Sequence, residues 1–487
     1  MRQTLLCGLA ILTVACGPST EPPGPSPNPP GNVGPPGENV PPAPEYDDRG
    51  IQISPNGNDS TGDGSAERPY RTIGHVLANV AAAGDTLILR EGEYREQVRI
   101  RLPNITIRSH SREWAVISQP VSTDANNGPL TVRFDVDAHG SRLQRVEVKG
   151  GFYAVVLHTR WDWGVGDNMG VQNVAIEDSV IHSSGRDCIK VNPKANGFTV
   201  RRTEIFNSGA GYPPGTSTDD KNAEGIDVVN ADDVLIQDSY IHDTATTGVY
   251  VKGGGRNTVI ERTRVERAGF MGIGLGFDTS PEFFDTETNP AYYENIDGVV
   301  RNNIVIDTGA SGIGIYGALN PVVVNNTVID TAKDYHAPIY FGVTFQDWDP
   351  DAGRPATLNP TVLNNVIAQP VAGPCVAIRQ ANEAELGGAL PGVDGALRID
   401  HNLYFAGAGQ CSFTDGRSGF RGDLAAWRTH IRGESASLAA DPRLTGDGHL
   451  QASSPAIGAG MTIDSVSLDI DSEQRSPPFD IGADQHH

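Results

Sequence analysis

The chain has 487 residues, 57 of them Gly and 34 Pro, and its 60 acidic against 37 basic side chains give a formal net charge of −23. An acidic balance of this size offers no basic surface for counterion release from a nucleic-acid backbone, so nucleic-acid binding is disfavoured. Glycine and proline at this density break helices for separate steric reasons and point to a turn-rich architecture.

The amino terminus reads as an export signal. Arg2 precedes an apolar run from Leu5 to Ala15 that is too short to span a bilayer but suits a signal-peptide core, so residues 1–15 are assigned to it. The string Leu12-Thr13-Val14-Ala15-Cys16 resembles a bacterial lipobox, with Thr13 where that box usually carries Leu, and implies lipidation of Cys16. Residues 16–46 are rich in Pro, Gly, Ser and Asn and should form an extended tether. The expectation is an exported, monomeric protein, lipid-anchored to a bacterial cell envelope or secreted, with its folded domain over residues 47–487. Membrane contact would be through the anchor only.

From Val171 onward the strings "VAIEDSVIHSSG", "FTVRRTEIFNSG", "VLIQDSYIHDTA", "TVIERTRVERAG", "GVVRNNIVIDTG" and "PVVVNNTVIDTA" align. A repeat of about 24 residues signals a solenoid. Ile176, Val200, Ile236, Ile260, Val300 and Val324 would stack in one column, and Ile181, Ile205, Ile241, Val265 and Val305 in a second. A third stretch carries Ile189, Ile226, Val249, Ile273 and Ile313 at its centre. Three short strands per coil with β-branched interiors define an all-β fold, a single parallel β-helix whose coils stack about 4.8 Å apart. Ser179, Thr203, Ser239, Thr263, Asn303, Asn326 and Asn365 share one repeat position, where their side chains can bond the coils above and below.

Solenoid ends need covering. Thr72 to Ala83 places Ile73, Val76, Leu77 and Val80 on one helical face, an amino-terminal capping helix. Residues 422–431 read as a short helix that begins an irregular carboxy-terminal cap. Cys375 and Cys411 sit in the matching contexts "AGPCVAI" and "AGQCSFT", one coil apart, and are expected to form a disulfide after export.

The opening "ISPNGNDSTGDGSAERPYRTIGHVL" with "AGDTLILREGEYREQV", and the close "ADPRLTGDGHLQASSPAIGAG" with "FDIGADQ", resemble the terminal signatures of secreted right-handed parallel β-helix proteins that include polysaccharide lyase family nine, the pectate-lyase-like group. With the coils between, the resemblance runs from about Gly50 to His487. It carries fold more strongly than chemistry, because such ends occur on proteins of other activities.

Insertions at 210–222, 278–296, 344–360 and 380–396 flank the third strand and would wall a groove over its outer face. Into that groove point Lys190, Asp227, Tyr250, Gly274 and Gly314, then Asn192, Val229, Lys252, Gly276 and Tyr316. Asp187, Glu224 and Asp227 fall within one coil spacing of each other, with Asp219 and Asp220 on the adjoining loop. Converging carboxylates repel, and Ca²⁺ accepts such an irregular oxygen shell; Lys190 or Lys221 would be the alternative counter-charge. The resemblance implies a Ca²⁺ site on Asp187, Glu224 and Asp227, to which Asp220 is added, although Ala223 stands where the family carries the first Asp of its second motif. It also implies a basic residue on the strand "GVYVKGG", where Tyr250 takes the place of the family's Lys and Lys252 follows two residues on. Lys190, Tyr316 and Trp348 are the candidate sugar contacts.

The leading expectation is an enzyme, a polysaccharide lyase that cleaves an acidic, uronic-acid-containing polysaccharide by Ca²⁺-assisted β-elimination, with Lys252 as base and Tyr250 as acid or alternative base. Two alternatives stand beside it. One is a glycoside hydrolase using Asp227 with Glu224 or Asp187, and the other a non-catalytic surface protein that binds glycan or a partner along the groove.

Overall fold

The computed structural model describes residues 46–161, 168–345, 351–383, 388–395 and 397–487. The signal segment, Cys16 and nearly all of the tether lie outside the described residues, as does Trp348. The described residues belong to one compact unit.

Three twelve-stranded sheets run the length of the described chain, and successive coils contribute one short strand to each. The strands pair in parallel except at the end of one sheet, where Cys411–Asp415 meets Phe420–Gly422 antiparallel. The third-strand column pairs in the expected register, Ile189 with Ile226, Val249, Ile273 and Ile313. So does the second, from Ile181 through Ile205, Ile241 and Val265 to Val305. These interior side chains are wholly buried and form one continuous core.

The first column departs at one step. Val300 pairs with Val323, not with Val324. A one-residue slip turns a side chain to the opposite face of a strand. Val324 therefore points outward, where it packs with Leu363, Val466 and Phe479 of the carboxy-terminal segment.

The corner between the first two sheets explains the polar pair in every repeat. Its first member adopts a left-handed backbone, as at Asp178, Asp238, Asn302, Asn325 and Asn364, a conformation Asn and Asp tolerate best. Its second member points inward and bonds the next coil. The backbone N–H of Asn303 donates to Asn326 Oδ1 at 3.0 Å, Asn326 N–H to Asn365 Oδ1 at 3.0 Å, and Asn365 N–H to Asn402 Oδ1 at 2.9 Å. The ladder thus extends one coil beyond the predicted column, and Asn402 N–H donates in turn to Ser437 Oγ at 2.8 Å.

Both ends are covered. The amino-terminal helix spans Ile73–Asn79, capped by the Thr72 side chain, and buries Ile73 and Val76. It stops short of the predicted end, so Val80 is exposed. Helix Leu424–Ile431, capped by Asp423, inserts Trp427 against Phe413 over the last coil. The segment beyond it does not extend the cap. It runs back along the outside of the coils, where Leu450 and Ile481 cover Val366 and Leu403, and Ile470 covers Ile304. The buried Arg475 guanidinium fastens it, donating to Asn302 Oδ1 at 2.9 Å and to the carbonyls of Gly482 and Ala483 at 2.8 and 2.7 Å.

Cys375 and Cys411 are joined by a disulfide, with Cα atoms 5.4 Å apart. They are not direct strand partners. Gly373 pairs with Cys411, and the register shifts between Pro374 and Val376, so Cys375 is the extra residue of a bulge.

Asn326→Ala should destabilise the protein by about 2–4 kcal/mol, since it orphans the Asn303 amide and removes bonds to Val300 O and Val324 O. Thermal unfolding measures this; a melting temperature equal to that of the unaltered chain would show the ladder to be dispensable.

Candidate active-site groove

The third sheet carries the groove. Its strands Ile189–Val191, Ile226–Val229, Val249–Lys252, Ile273–Leu275, Ile313–Tyr316 and Ile339–Gly342 stack in register. Residue positions that alternate outward therefore line up coil above coil. One outward column runs Lys190, Asp227, Tyr250, Gly274, Gly314 and Tyr340.

Asp187, Glu224 and Asp227 do converge. One carboxylate oxygen from each lies within 4.8 Å of the others, and all three residues are buried. Each carboxylate has one oxygen in use. Asp187 Oδ1 accepts from the Glu224 amide at 3.2 Å, Glu224 Oε1 from Thr246 Oγ1 at 2.9 Å, and Asp227 Oδ2 pairs with Lys190 Nζ. The second oxygen of each, Asp187 Oδ2, Glu224 Oε2 and Asp227 Oδ1, is buried without a hydrogen-bond partner. Three orphaned carboxylate oxygens in one place are costly unless a proton or cation completes them.

The electrostatics split the cluster. Burial, reinforced by Glu224 and Asp227, pushes the Asp187 carboxyl well above the usual range. Burial acts the same way on Asp227, but Lys190, with help from Lys252 and Arg186, outweighs it and holds Asp227 below its usual value. Burial and like charge thus favour the protonated form of Asp187, while Lys190 favours the ionised form of Asp227. Arg186 Nε stands 3.8 Å from Asp187 Oδ1 and donates to Asn222 Oδ1 at 3.0 Å, tying the 210–222 insertion to the cluster.

The donor set suits a hard divalent cation: three converging carboxylates, oxygen only, each with one buried oxygen that lacks a hydrogen-bond partner. Asp220 is not in this group. It lies exposed on the short helix Thr218–Asp220, where Ser217 donates to its carboxylate at 2.8 Å, because the insertion carries it out along the wall.

Lys252 ends its strand beside the cluster. Its ammonium sits 4.4 Å from the Tyr250 ring centroid and 5.7 Å from that of Phe277, and donates to the Asp278 carbonyl at 3.5 Å. Tyr250 is buried at 2% exposure and stacked on Phe277. Burial, then the charges of Asp227, Glu224 and Asp187, raises its hydroxyl pKa well above 10. The raised pKa favours the protonated form, which argues for Tyr250 as a hydrogen-bond donor and against it as the alternative base.

Tyr316 differs from expectation. It is 3% exposed and lies across the floor, its ring over Gly314 and Gly342. A Cβ at Gly342 would fall 1.9 Å from Tyr316 Cε1, so only glycine lets the ring lie down there. The position alternates outward as predicted, but the missing side chain next door lets the ring fold into the floor, and no face remains for a sugar.

The groove's accessible aromatic surface comes instead from residues that sequence periodicity did not mark. Phe270 and Phe277 flank one strand, and Tyr335 and His336 stand on a later loop, their rings in mutual contact with Tyr340. Tyr335 is the most exposed, and its hydroxyl reaches Asp219 Oδ1 at 3.3 Å. Glu294 was equally unmarked. Buried, with its pKa pushed up to about 7 chiefly by that burial, it accepts from Gly253 N at 2.9 Å and from Thr279 N and Oγ1 at 2.9 and 2.7 Å. It fastens the 278–296 insertion to the turn that follows Lys252.

These coils define a right-handed parallel β-helix. Residues 166–367 match the family described as "right handed beta helix region". Among solved structures, pectate lyase Pel9A aligns over 90% of this chain and 96% of its own, at 13% identity and a TM-score of 0.53. XylC in complex with xylose aligns over 89% of this chain and 98% of its own at 12% identity and a TM-score of 0.52. The A-module of the Azotobacter vinelandii mannuronan C-5 epimerase AlgE6 covers 76% and 94% at 17% and 0.50. In sequence, 107 residues are 32% identical to the uncharacterized protein YwoF of Bacillus subtilis, about a fifth of either chain. The chain is thus a right-handed parallel β-helix that resembles pectate lyases in fold.

The Asp187 shift has a measurable sign. A carboxyl whose folded pKa lies above its unfolded one stabilises the fold fully below the unfolded pKa and loses that contribution as pH rises through the folded value. In chelator, the stability of the wild-type protein relative to Asp187→Asn should fall as pH rises from the acid range toward neutral. Two parallel curves would show that Asp187 ionises at no cost.

Proposed function

We propose that this chain is an exported carbohydrate-active enzyme that cleaves a uronic-acid-containing polysaccharide by β-elimination, with Ca²⁺ held by Asp187, Glu224 and Asp227. The observation that carries the reading is the trio of buried, unpartnered carboxylate oxygens on the same outer face as Lys252. Bound there, the cation would offset the charge of a substrate carboxylate and acidify the adjacent C5 proton.

The protein's own groups supply the remaining chemistry. Lys252 is the group that would remove the C5 proton. The electron pair left behind forms the C4–C5 double bond as the C4–oxygen bond breaks. Tyr250, whose protonated form burial favours, would be the donor to the departing oxygen once substrate binding opens its hydroxyl to the groove. Lys190 holds Asp227 ionised and oriented. The aromatic wall of Phe270, Tyr335 and His336 offers ring faces to a sugar chain.

The lipid anchor at Cys16 would hold the enzyme at the cell envelope.

Incubation with uronic-acid polymers and Ca²⁺ should generate the ultraviolet absorbance of an unsaturated uronide, and chelator should abolish it. Reducing ends without that absorbance would identify a hydrolase, and neither signal a binder. Lys252→Ala should lower the rate by about a hundredfold or more with an unchanged melting temperature. If the variant keeps its rate, Lys252 is not the base.

A further inference from the structure

The outward column that reaches the acidic cluster continues on its amino-terminal side. Asp227 pairs with Lys190, Lys190 with Val156, Val156 with Arg133, and Arg133 with Arg99. At about 4.8 Å per coil, Arg133 stands two coils, roughly 10 Å, from Lys190 along the groove. Arg101 follows on the same edge as Arg99.

Among the described residues, the ion pairs of these three arginines all end on one carboxylate. Arg99 Nε and Arg133 Nε reach the two oxygens of Asp135, and Arg101 Nε lies 3.4 Å from Oδ2. Three guanidinium groups against one carboxylate leave an excess of two positive charges. The side chains of Arg99 and Arg101 are 47% and 60% exposed, whereas that of Asp135 is 9% exposed. The acid is thus the buried anchor and the arginines the presented surface. His158 beside them adds no charge at neutral pH, because burial and then Arg133 depress its pKa. On a chain of net charge −23, such a cationic patch in line with a groove is a local inversion of the field.

We infer that Arg99, Arg101 and Arg133 form a subsite that binds carboxylate groups of an acidic polysaccharide, two to three coils from the Asp187–Glu224–Asp227 cluster. A guanidinium fork matches a carboxylate in two parallel hydrogen bonds. A polyuronate lying along the column would bring one of its carboxylates within reach of these guanidinium groups. The subsite lies on one side of the cluster and the aromatic wall on the other. A bound polymer would therefore meet charge recognition at one end of the groove and ring stacking at the other. This inference rests on the uronate-polymer reading above for its ligand class.

The test is calorimetric binding of polygalacturonate and of alginate to the full chain, in chelator and over a series of salt concentrations, with dextran as a neutral polymer. Arg99→Gln/Arg101→Gln leaves Arg133 to pair with Asp135. It should weaken binding of the polyuronates about tenfold and flatten its fall with salt, at an unchanged melting temperature. Arg99→Lys/Arg101→Lys should recover part of the loss. Equal affinity and equal salt dependence in the Gln variant would overturn the subsite, as would dextran binding as tight as that of the polyuronates, or no binding of either polyuronate. Cleavage with binding unaltered by the Gln substitutions would sink the subsite alone. Arginine-dependent binding without unsaturated product would sink the elimination reading alone.

Discussion

In-register hydrogen bonding between successive coils is the constraint on which everything else rests. Each short strand has no partner within its own coil, so its backbone groups are satisfied only by the coils before and after it. Because side chains alternate with a period of two, that pairing turns every repeat position into a column. A slip by one residue would invert a whole strand. The asparagine ladder opposes such slips from inside the core, since each side chain accepts from the amide of one coil while its own amide donates to the next. The ladder is polar yet buried, and it is tolerated there because its bonds are complete.

The groove follows from the same constraint with different side chains. One outward column passes from arginine through lysine and aspartate to tyrosine and then glycine. Neighbouring members are held one coil spacing apart whether or not they attract. Lys190 beside Asp227 is a favourable neighbour, while Asp187 beside Glu224 and Asp227 is an unfavourable one that the fold nevertheless enforces. The stacked backbone supplies the stability that a concentrated carboxylate site consumes, and the strain is local to three side chains. Glycine in the later coils lets Tyr316 lie flat, so the floor there is aromatic and smooth where the earlier coils are charged.

Where the chain was read correctly, the signal was repetition. The second and third interior columns, the polar ladder and the convergence of Asp187, Glu224 and Asp227 all followed from aligning repeats. The errors fall where repetition fails. Val324 was placed by a fixed step of 24 residues from Val300, although the ladder residue Asn326 follows Val323 by the three residues found in every other coil, and the outward Val324 packs on the carboxy-terminal segment instead. The bulge at Cys375 is a local extra residue with no mark of its own. Asp220 was assigned by nearness in sequence, but an insertion can carry a residue far from its coil. Tyr316 was assigned by alternation, which says which face a residue leaves from and nothing about where a long ring comes to rest. Phe270, Tyr335 and Glu294 sit on loops without periodicity, and no spacing rule could have collected them.

The amino-acid sequence by itself determined the coil, most of its interior columns, its capping helices and the face on which Asp187, Glu224 and Asp227 meet. These depend on nearest-neighbour stacking of like positions, which a one-dimensional repeat records directly. Only the tertiary structure decided which carboxylate oxygens are left unpaired, and that three arginines from two successive coils share a single buried acid. Those properties depend on burial and on distances between side chains of different coils and loops, and burial is a property of what surrounds a residue in space, not of its place in the chain.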